Sequence, residues 1–364
     1  MGFKCGIVGL PNVGKSTLFN ALSNNKAEAA NYPFCTIEPN IGIIKVPDSR
    51  LDVLTELVKP QNVVPTVVQI VDIAGLVKGA SKGEGLGNQF LANIRECEAI
   101  IHVLRCFQDE NIVHVENSVN PLRDKEIIDT ELQLKDLETL EKRLDKSKKN
   151  TKGGDKTAIQ EVALLNDLIQ FVQQGNSVRN YPKSTETESL RQEMRLLTDK
   201  PVLYLCNVDE AGIITENEYV KQVRQATGSE NAYVIVVCAA IEAQISQLEP
   251  AEQTEFLEAL GIQESGLSQL IRSAYELLGL QTYFTAGVKE VRAWTITRGT
   301  KAPQAAGVIH SDFERGFIRV EVIKYQDFIS FKNELAVKEA GKLAVQGKDY
   351  VVEDGDLLHF RFNV

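Results

Sequence analysis

Apolar residues form short runs that alternate with helical stretches through the first 120 residues of the chain. The runs KCGIVGL, VVQIVDIAG and AIIHVLRC are rich in Val and Ile, and a helical pattern follows each of the first two. Two further runs of this kind, PVLYLCNVDEAG and AYVIVVCAA, begin near residues 201 and 232. Such alternation predicts an α/β fold in which a largely parallel sheet is connected by crossover helices.

The chain between residues 122 and 199 carries no strand pattern. Apolar residues recur there at helical spacing in two runs, Leu134, Leu137, Leu140 and Leu144, then Ile159, Val162, Leu165, Ile169 and Val172. The segment KSKKNTKGGDK separates the two runs. We predict two antiparallel helices joined at a lysine-rich tip.

The pattern changes again near residue 281. The runs VRAWTI, FIRVEVI and LLHFRF alternate with turns such as EDGD and with one helical stretch, which predicts a small β-rich domain with a helix. The predicted division has three parts. Residues 1–121 and 200–280 form the α/β domain, residues 122–199 a helical insertion, and residues 281–364 the β-rich domain.

Composition excludes some classes of protein. The 364 residues carry a net charge of −10, and no apolar run approaches the roughly 18 residues that a membrane span needs. The start of the chain lacks the apolar region of a secretory signal, so we expect a cytoplasmic protein without a membrane partner. The six cysteines have no metal-ligand spacing and are expected to be reduced, with Cys35 the one that lies in a polar loop.

The segment GLPNVGKST fits the phosphate-loop pattern G-x-x-x-x-G-K-[ST] between a predicted strand and a predicted helix. Glycines let backbone N–H groups surround a β-phosphate, and the helix N-terminus adds the positive end of its dipole. Lys15 is expected to bridge the β- and γ-phosphates as a catalytic group, and Ser16 to bind Mg²⁺. The predicted nucleotide-binding residues of this loop are Asn12, Val13, Gly14, Lys15, Ser16 and Thr17.

Two further segments fit a Mg²⁺-dependent nucleoside triphosphatase. Asp72 ends an apolar strand, where a carboxylate can hold the Mg²⁺ shell, and the Gly75 N–H can meet the γ-phosphate. Thr36, in the polar loop YPFCTIEPN, is a second candidate Mg²⁺ ligand. Leu76 occupies the place where such enzymes commonly carry a Gln that orients the attacking water, so the water must be organised by another group or by a monovalent cation. Asn12 is compatible with K⁺ in that role, although an Asn at this position more commonly stabilises the loop itself.

The motifs GLPNVGKST, Leu76, the loop KGASKGEGLGNQF and NVDE together resemble those of the YchF or Obg-like ATPase family, and the resemblance covers the whole chain. It implies a P-loop nucleotide-binding domain of the translation-factor branch, an inserted helical coiled coil and a C-terminal ubiquitin-like (TGS, β-grasp) domain. The tail segments FERGFIR and DYVVEDGDLLHFRFNV are also similar to the TGS region of that family. Members of the family resemble GTPases but prefer or accept ATP.

The segment Asn207-Val208-Asp209-Glu210 stands where a GTP-binding protein carries Asn-Lys-x-Asp. The Asp of that motif accepts two hydrogen bonds from guanine, and the longer Glu210 spoils this pair, whereas adenine has no such donor pair. We expect adenine to be accepted through Asn207, the Val208 backbone and apolar contact, with Asp209 facing solvent. The residues Cys238, Ala239 and Ala240 end the next strand and are expected to touch the base from the other side.

The family resemblance also places a catalytic histidine in a flexible loop beyond the switch regions. His114, in ENIVHVENSVNP, fits by position and would orient the attacking water. His102 lies inside the apolar run IIHVL and is expected to be a core residue with its hydrogen bonds satisfied.

Two surfaces are candidates for contact with a ribosome or ribosomal RNA. Lysines at the tip of the predicted helical pair could contact phosphates, namely Lys146, Lys148, Lys149, Lys152 and Lys156. Arginines alternate with aromatic residues in the tail at Arg292, Trp294, Arg298, Arg315, Phe317 and Arg319, although core packing explains the two aromatics equally well.

The sequence favours a ribosome-associated P-loop NTPase that slowly hydrolyses ATP and acts as a nucleotide-dependent switch in translation or stress response. Two alternatives stay open. One is an Obg-like GTPase in ribosome assembly, and the other is an RNA-binding or ribosome-binding module in which the nucleotide is structural.

Overall fold

A computed structural model describes residues 3–24, 40–73, 86–151, 156–230 and 232–363 of the chain. Two six-stranded sheets organise these residues. The first sheet belongs to the nucleotide unit, and its strands are β1 (Lys4–Val8), β2 (Ile41–Lys45), β4 (Val67–Asp72), β5 (Ala99–Arg105), β6 (Val202–Asn207) and β7 (Tyr233–Val237). The second sheet belongs to the C-terminal unit, with β3 (Asn62–Val64), β8 (Leu280–Ala286), β9 (Glu290–Thr297), β10 (Phe317–Ile323), β11 (Ala344–Gln346) and β12 (Leu357–Phe362).

The sheet of the nucleotide unit is parallel except at one edge. Its order is β2-β4-β1-β5-β6-β7, and only β2 runs antiparallel to its neighbour, β4. Every residue of β5 and β6 is buried, as expected for central strands covered on both faces by helices. This arrangement confirms the predicted α/β fold with a largely parallel sheet.

Eight helices of the described chain connect or flank these strands or extend from them. They are α1 (Lys15–Asn24), α3 (Leu86–Glu96), α4 (Pro121–Asn150), α5 (Lys156–Gln173), α6 (Thr185–Met194), α7 (Glu210–Ile214), α8 (Glu218–Thr227) and α9 (Ala239–Ile245). Two more, α10 (Pro250–Ala259) and α11 (Gly266–Leu277), follow β7 and lead to the second sheet.

Helices α4 and α5 lie antiparallel and form a structure that we call the arm. Ser147 of α4 bonds Glu161 of α5, while Gln133 bonds the Gly175 carbonyl at the opposite end. The arm has its own apolar core, which contains Leu140, Leu144, Leu165, Leu168, Ile169 and Val172. Two residues of the predicted stripe do not join it, because Leu134 is 40% exposed and Ile159 52% exposed. The first turns of α4 belong instead to the core of the nucleotide unit through Ile128 and Leu132.

The second sheet has the order β11-β10-β12-β8-β9-β3 and is mainly antiparallel. Its helices are α12 (Ala302–Ile309), α13 (Ser311–Arg315), α14 (Tyr325–Phe331) and α15 (Glu334–Glu339). The predicted β-rich C-terminal unit is therefore present, and it carries several short helices where the sequence indicated one.

The predicted division of the chain differs from the structure in one segment, residues 49–64. The strand β3 pairs in parallel with β9, and the preceding helix α2 (Ser49–Val58) buries Leu51 and Leu54 in the core of the C-terminal unit. Arg50 fixes this segment to the C-terminal unit, because its guanidinium bonds Asp48 and, at 2.7 Å, the Asp354 carboxylate. Residues 49–64 thus belong structurally to the C-terminal unit, although they lie within the N-terminal part of the sequence.

Candidate nucleotide site

The phosphate loop connects β1 to α1 at the carboxyl end of the parallel strands. Two of its residues have left-handed backbone angles, Asn12 with φ 62° and Gly14 with φ 101°. A Cβ on Gly14 would lie 2.3 Å from the Asn207 Nδ2, so only glycine fits there. Helix α1 begins at Lys15 and directs its N-terminus at this loop, which is the arrangement that binds phosphates.

Lys15 lies inside the loop and is 7% exposed. Its ammonium donates to the Leu10 carbonyl at 2.7 Å. Burial lowers the pKa of Lys15 to about 8, and the nearby Asp72 carboxylate opposes this shift. Burial also raises the pKa of Asp72, which Lys15 partly offsets. The two predicted residues are thus close enough to interact, as a shared phosphate and metal site requires.

The remaining predicted residues around the phosphates fall into two groups. Ser16 and Thr17 lie exposed in the first turn of α1, where their hydroxyl groups are accessible. Thr36, Gly75 and Leu76, together with the KGASKGEG loop and Cys35, lie outside the described residues.

Asn207 joins the two parts of the predicted nucleotide site. The residue is 3% exposed, its Nδ2 donates to the Val13 carbonyl at 2.9 Å, and its Oδ1 accepts from the Ala239 N–H at 3.0 Å. Its amide therefore braces the phosphate loop against the segment after β7, and its second N–H and second oxygen lone pair are not used by these two bonds. The sequence offered no local signal for this role, since both partners are distant along the chain.

The two segments that we call the base loops, residues 207–210 and 238–240, meet at the same edge of the sheet. The Val208 N–H donates to the Val237 carbonyl at 2.9 Å, and the Val208 side chain is buried at 2% exposure. Asp209 is exposed and caps α7 by accepting from the Gly212 N–H at 2.9 Å. Asp209 thus faces solvent as expected, and the motif also serves as a helix cap.

Glu210 and Cys238 belong to different base loops, and they lie close enough for the Glu210 charge to act on the Cys238 thiol. Glu210 is exposed in the first turn of α7. Burial raises the pKa of the Cys238 thiol, and the Glu210 charge adds to that increase. Ala239 is buried and Ala240 exposed at the start of α9, so this turn presents a small apolar surface beside Glu210.

His114 is buried, not exposed on a surface loop. It is 5% exposed, its Nε2 lies 2.8 Å from the Asp124 Oδ2, and its Nδ1 accepts from the Glu116 N–H at 3.1 Å. The neighbouring Val113 carbonyl accepts from the Asn12 Nδ2 of the phosphate loop at 3.1 Å. The structure therefore brings the His114 segment to the phosphate loop but turns the imidazole toward α4.

His102 differs from the expectation of a satisfied core histidine. It is 2% exposed, and its Nε2 has no hydrogen-bond partner among the described residues. Burial lowers its pKa to about 4, so the ring is neutral at physiological pH. His102 lies against the Tyr204 ring, with 5.7 Å between the ring centroids.

The lysines at the arm tip are accessible. Lys146, Lys148, Lys149 and Lys156 are exposed and make no ion pair within the described chain, whereas Lys152 lies outside it. This end of the arm thus presents several uncompensated positive charges. An accessible cluster of this kind can contact phosphates.

The arginines and aromatic residues of the tail have mixed environments. Arg292 stacks over the Trp294 ring at 4.0 Å, and Phe317 is 6% exposed in the core of the C-terminal unit. Core packing therefore accounts for Phe317. Arg315 pairs with Asp312 at 2.6 Å, while Arg298 and Arg319 are exposed.

Comparison with known proteins connects this site to a family. The chain is 56% identical over 364 residues to an Escherichia coli O157:H7 protein named Ribosome-binding ATPase YchF, covering 100% of both chains. It is 55% identical over 366 residues to the Bacillus subtilis protein of the same name, again with 100% of both chains covered. The chain belongs to the YchF family.

Family models and solved structures agree with this membership. The YchF-GTPase_C model, described as a protein of unknown function, matches residues 280–363, and the MMR_HSR1 model, described as a 50S ribosome-binding GTPase, matches residues 4–149. The structure of the Schizosaccharomyces pombe YchF GTPase is 40% identical with a TM-score of 0.90, covering 99% of this chain and 98% of that one. A GTP-binding protein from Pyrococcus horikoshii OT3, at 19% identity and a TM-score of 0.58, shares the fold.

Proposed function

We propose that this protein is a Mg²⁺-dependent nucleoside triphosphatase that binds and slowly hydrolyses ATP in preference to GTP. It acts as a nucleotide-dependent switch on the ribosome in translation or stress response, and a ribosomal partner places it in the cytoplasm. The proposal rests mainly on the two hydrogen bonds of the Asn207 side chain, which hold the phosphate loop against the base loops. In these loops Glu210 replaces the Asp that reads guanine. Relatives identical at 56% of positions are named ribosome-binding ATPases.

The residues around the phosphate loop fit Mg²⁺. Hydroxyl and carboxylate oxygens are the ligands that this ion prefers, and Ser16 with Thr36 would bind it while Asp72 holds its water shell. The ion would neutralise charge that develops on the transferred phosphate. Asn12 is the residue that would contact K⁺, through its Oδ1, since its Nδ2 is engaged by the Val113 carbonyl.

The arm and the C-terminal unit are the parts that we propose to contact the ribosome. We assign the arm as a coiled coil and the C-terminal unit as a TGS domain of β-grasp fold. Exposed lysines at the arm tip, and Arg292, Arg298 and Arg315 in the tail, would contact ribosomal RNA, and Arg292 stacks over the Trp294 ring. None of the described helices is long and apolar enough to cross a membrane.

Base preference is the sharpest test of the proposal. Dissociation constants for ATP and GTP, measured by calorimetry with Mg²⁺ on wild type and Glu210→Asp, should show that the variant shifts at least about tenfold toward GTP. A Val208→Lys change would bury an ammonium group, so the single substitution is the cleaner one. Glu218→Asp is the matched control, because Glu218 is likewise the first residue of a capped helix.

An Obg-like GTPase is the second candidate, favoured by the family model described as a 50S ribosome-binding GTPase. A strong GTP preference of the wild type would replace the ATPase proposal with this one. The third reading, a binding module with a structural nucleotide, is excluded if a folded Lys15→Ala variant loses a nucleotide-dependent change in ribosome binding.

The lowered pKa of Lys15 gives a pH test of the phosphate site. Bound phosphate favours the charged ammonium, so binding above pH 8 must include uptake of a proton. Affinity for ATP should therefore fall as pH rises from 8 to 9.5, by up to about tenfold per pH unit. Fluorescent-nucleotide titrations measure this, and a constant affinity across the range would contradict the assignment of Lys15.

A further inference from the structure

The loop between β5 and α4, residues 106–120, connects the phosphate loop to the arm. At one end the Asn12 side chain donates to the Val113 carbonyl at 3.1 Å. One residue later, His114 bonds Asp124 in the first turns of α4, the first helix of the arm. Two adjacent residues, Val113 and His114, therefore connect the phosphate loop to the arm helix.

The contact between His114 and Asp124 is buried and fully engaged. The side chains of the two residues are 3% and 2% exposed. Because Nδ1 accepts from the Glu116 N–H, the ring proton lies on Nε2 and is donated to the Asp124 Oδ2. The other Asp124 oxygen accepts from Arg123 at 3.0 Å. In this state the imidazole cannot contact a water molecule at the phosphate loop.

The hydrophobic pattern of the loop is the reverse of what burial normally selects. Ile112, Val113 and Val115 are 37%, 72% and 45% exposed, while the polar His114 between them is buried. Apolar burial alone would place the valines inside and the imidazole outside. The hydrogen bond to Asp124 is therefore the interaction that keeps the ring inward, and its loss would favour an exchange in which the exposed apolar residues are covered instead.

The backbone that precedes His114 is held in place by hydrogen bonds from Arg105 and Asn12. Arg105, which is 1% exposed, donates to the carbonyls of Phe107, Asp109 and Ile112. This guanidinium keeps the start of the loop folded. A change in His114 can thus be a local exchange of side chains that leaves the loop attached.

We propose that Asp124 is a positioning residue that holds His114 away from the phosphates, and that a shift of α4 releases the ring for hydrolysis. A partner on the arm would thereby accelerate hydrolysis, and the nucleotide state would in turn bias the pose of α4, because coupling between two sites is reciprocal. The inference rests on the proposed function, in which His114 orients the attacking water.

The test compares ATP hydrolysis, with and without purified ribosomes, in Asp124→Asn, His114→Ala and the double variant. Asp124→Asn weakens a charge-assisted hydrogen bond, so its ribosome-free rate should rise about fivefold and its stimulation by ribosomes should shrink. In the His114→Ala background the Asp124 change should have no effect. Asp129→Asn is the control on the same helix, since Asp129 pairs with Lys125 at 2.7 Å and not with the loop.

An unchanged or lower ribosome-free rate in Asp124→Asn overturns the inference, as does an equal increase in the His114→Ala background. If His114→Ala hydrolyses ATP at the wild-type rate, the proposed role of His114 fails and the inference fails with it. If His114→Ala is slow while Asp124→Asn matches wild type, only the inference fails. The two failures are therefore distinguishable.

A further variant tests the exchange at an exposed position, where a substitution should leave folding intact. Val113 is 72% exposed, so Val113→Ser leaves the buried state intact but disfavours the arrangement in which this side chain is covered. We expect both its ribosome-free and its ribosome-stimulated rates to fall, because hydrolysis in either case passes through the arrangement that the serine disfavours. Nitrogen chemical shifts of His114 should also report the Nε2–H tautomer without nucleotide and a change on binding a non-hydrolysable ATP analogue. Wild-type rates in Val113→Ser, or unchanged shifts, contradict the exchange.

Discussion

The two ends of helix α4 use charged residues in opposite ways. At the base, residues 121–136, the carboxylates of Asp124, Glu131 and Asp136 are at most 5% exposed. At the tip, residues 144–150, Lys146, Lys148 and Lys149 are all exposed. One helix of 30 residues thus changes from buried, acidic and bonded to exposed and basic.

This difference explains how the arm can be anchored at its base and still be free to bind a partner at its tip. A buried carboxylate is tolerated only where donors surround it, so each one fixes the helix to a specific neighbour. An exposed lysine costs little and leaves its charge for a partner. The base therefore defines where the arm points, and the tip defines what the arm can bind.

The largest expected effect concerns Asp136 at the base. Its carboxylate, 0% exposed, accepts from the Leu197 N–H, the Thr198 N–H and the Thr198 hydroxyl, each at 2.7 Å. Asp136→Ala leaves these buried donors unpaired and should lower the free energy of unfolding by about 3–5 kcal/mol. Urea unfolding followed by far-ultraviolet circular dichroism measures it. Asp145→Ala, at an exposed tip position, is the control, and equal losses in both would erase the distinction between the two ends.

A smaller effect is expected when the tip charges are removed. Replacing Lys146, Lys148 and Lys149 with Ser should change the free energy of unfolding by less than about 0.5 kcal/mol, because the side chains are exposed. Ribosome affinity at about 0.1 M salt should fall roughly tenfold, with a shallower salt dependence. Sedimentation with ribosomes across a salt series measures both. The control replaces Lys45, Lys59 and Lys221, and an equal loss there would show a general charge effect in place of a tip contact.

The smallest effect is expected at the surface of the arm, where a core leucine of the same helix serves as the reference. Leu134→Ala should cost about 0.5 kcal/mol or less, since this side chain is 40% exposed. Leu140→Ala, at 0% exposure, should cost about 2–5 kcal/mol. Thermal unfolding of the two variants compares them directly. Similar losses would mean that a partner surface covers Leu134 in solution.

Much of the fold was predictable from the sequence because the residues that form each pattern are adjacent in the chain. The phosphate loop was predictable, since its glycine spacing, the strand before it and the helix after it are all adjacent in the chain. The strands of the parallel sheet were predictable because central strands are buried on both faces and read as continuous apolar runs.

Features that the sequence did not reveal mostly depend on partners that are remote in the chain. Nothing in the three residues Asn62–Val64 indicates pairing with β9. The brace that Asn207 forms between Val13 and Ala239 was missed for the same reason, while its contact with a base stays a prediction. His114 differs, because its partner Asp124 is only ten residues away and its burial goes against the usual preference of apolar side chains for the interior. The predicted roles of Thr36 and Gly75 lie outside the described residues and stay predictions.

The strand β3 has a consequence for how the chain is made. Val64 leaves the translating ribosome about 230 residues before its partner Arg292. At roughly 5–20 residues per second, the wait is on the order of 10–45 s. Until then the edge strand and the apolar side chains of α2 lack the surfaces that cover them in the finished fold. The C-terminal unit consequently covers this segment only when synthesis is nearly complete, and a nascent chain stopped before residue 290 leaves an apolar surface and an unpaired strand edge exposed.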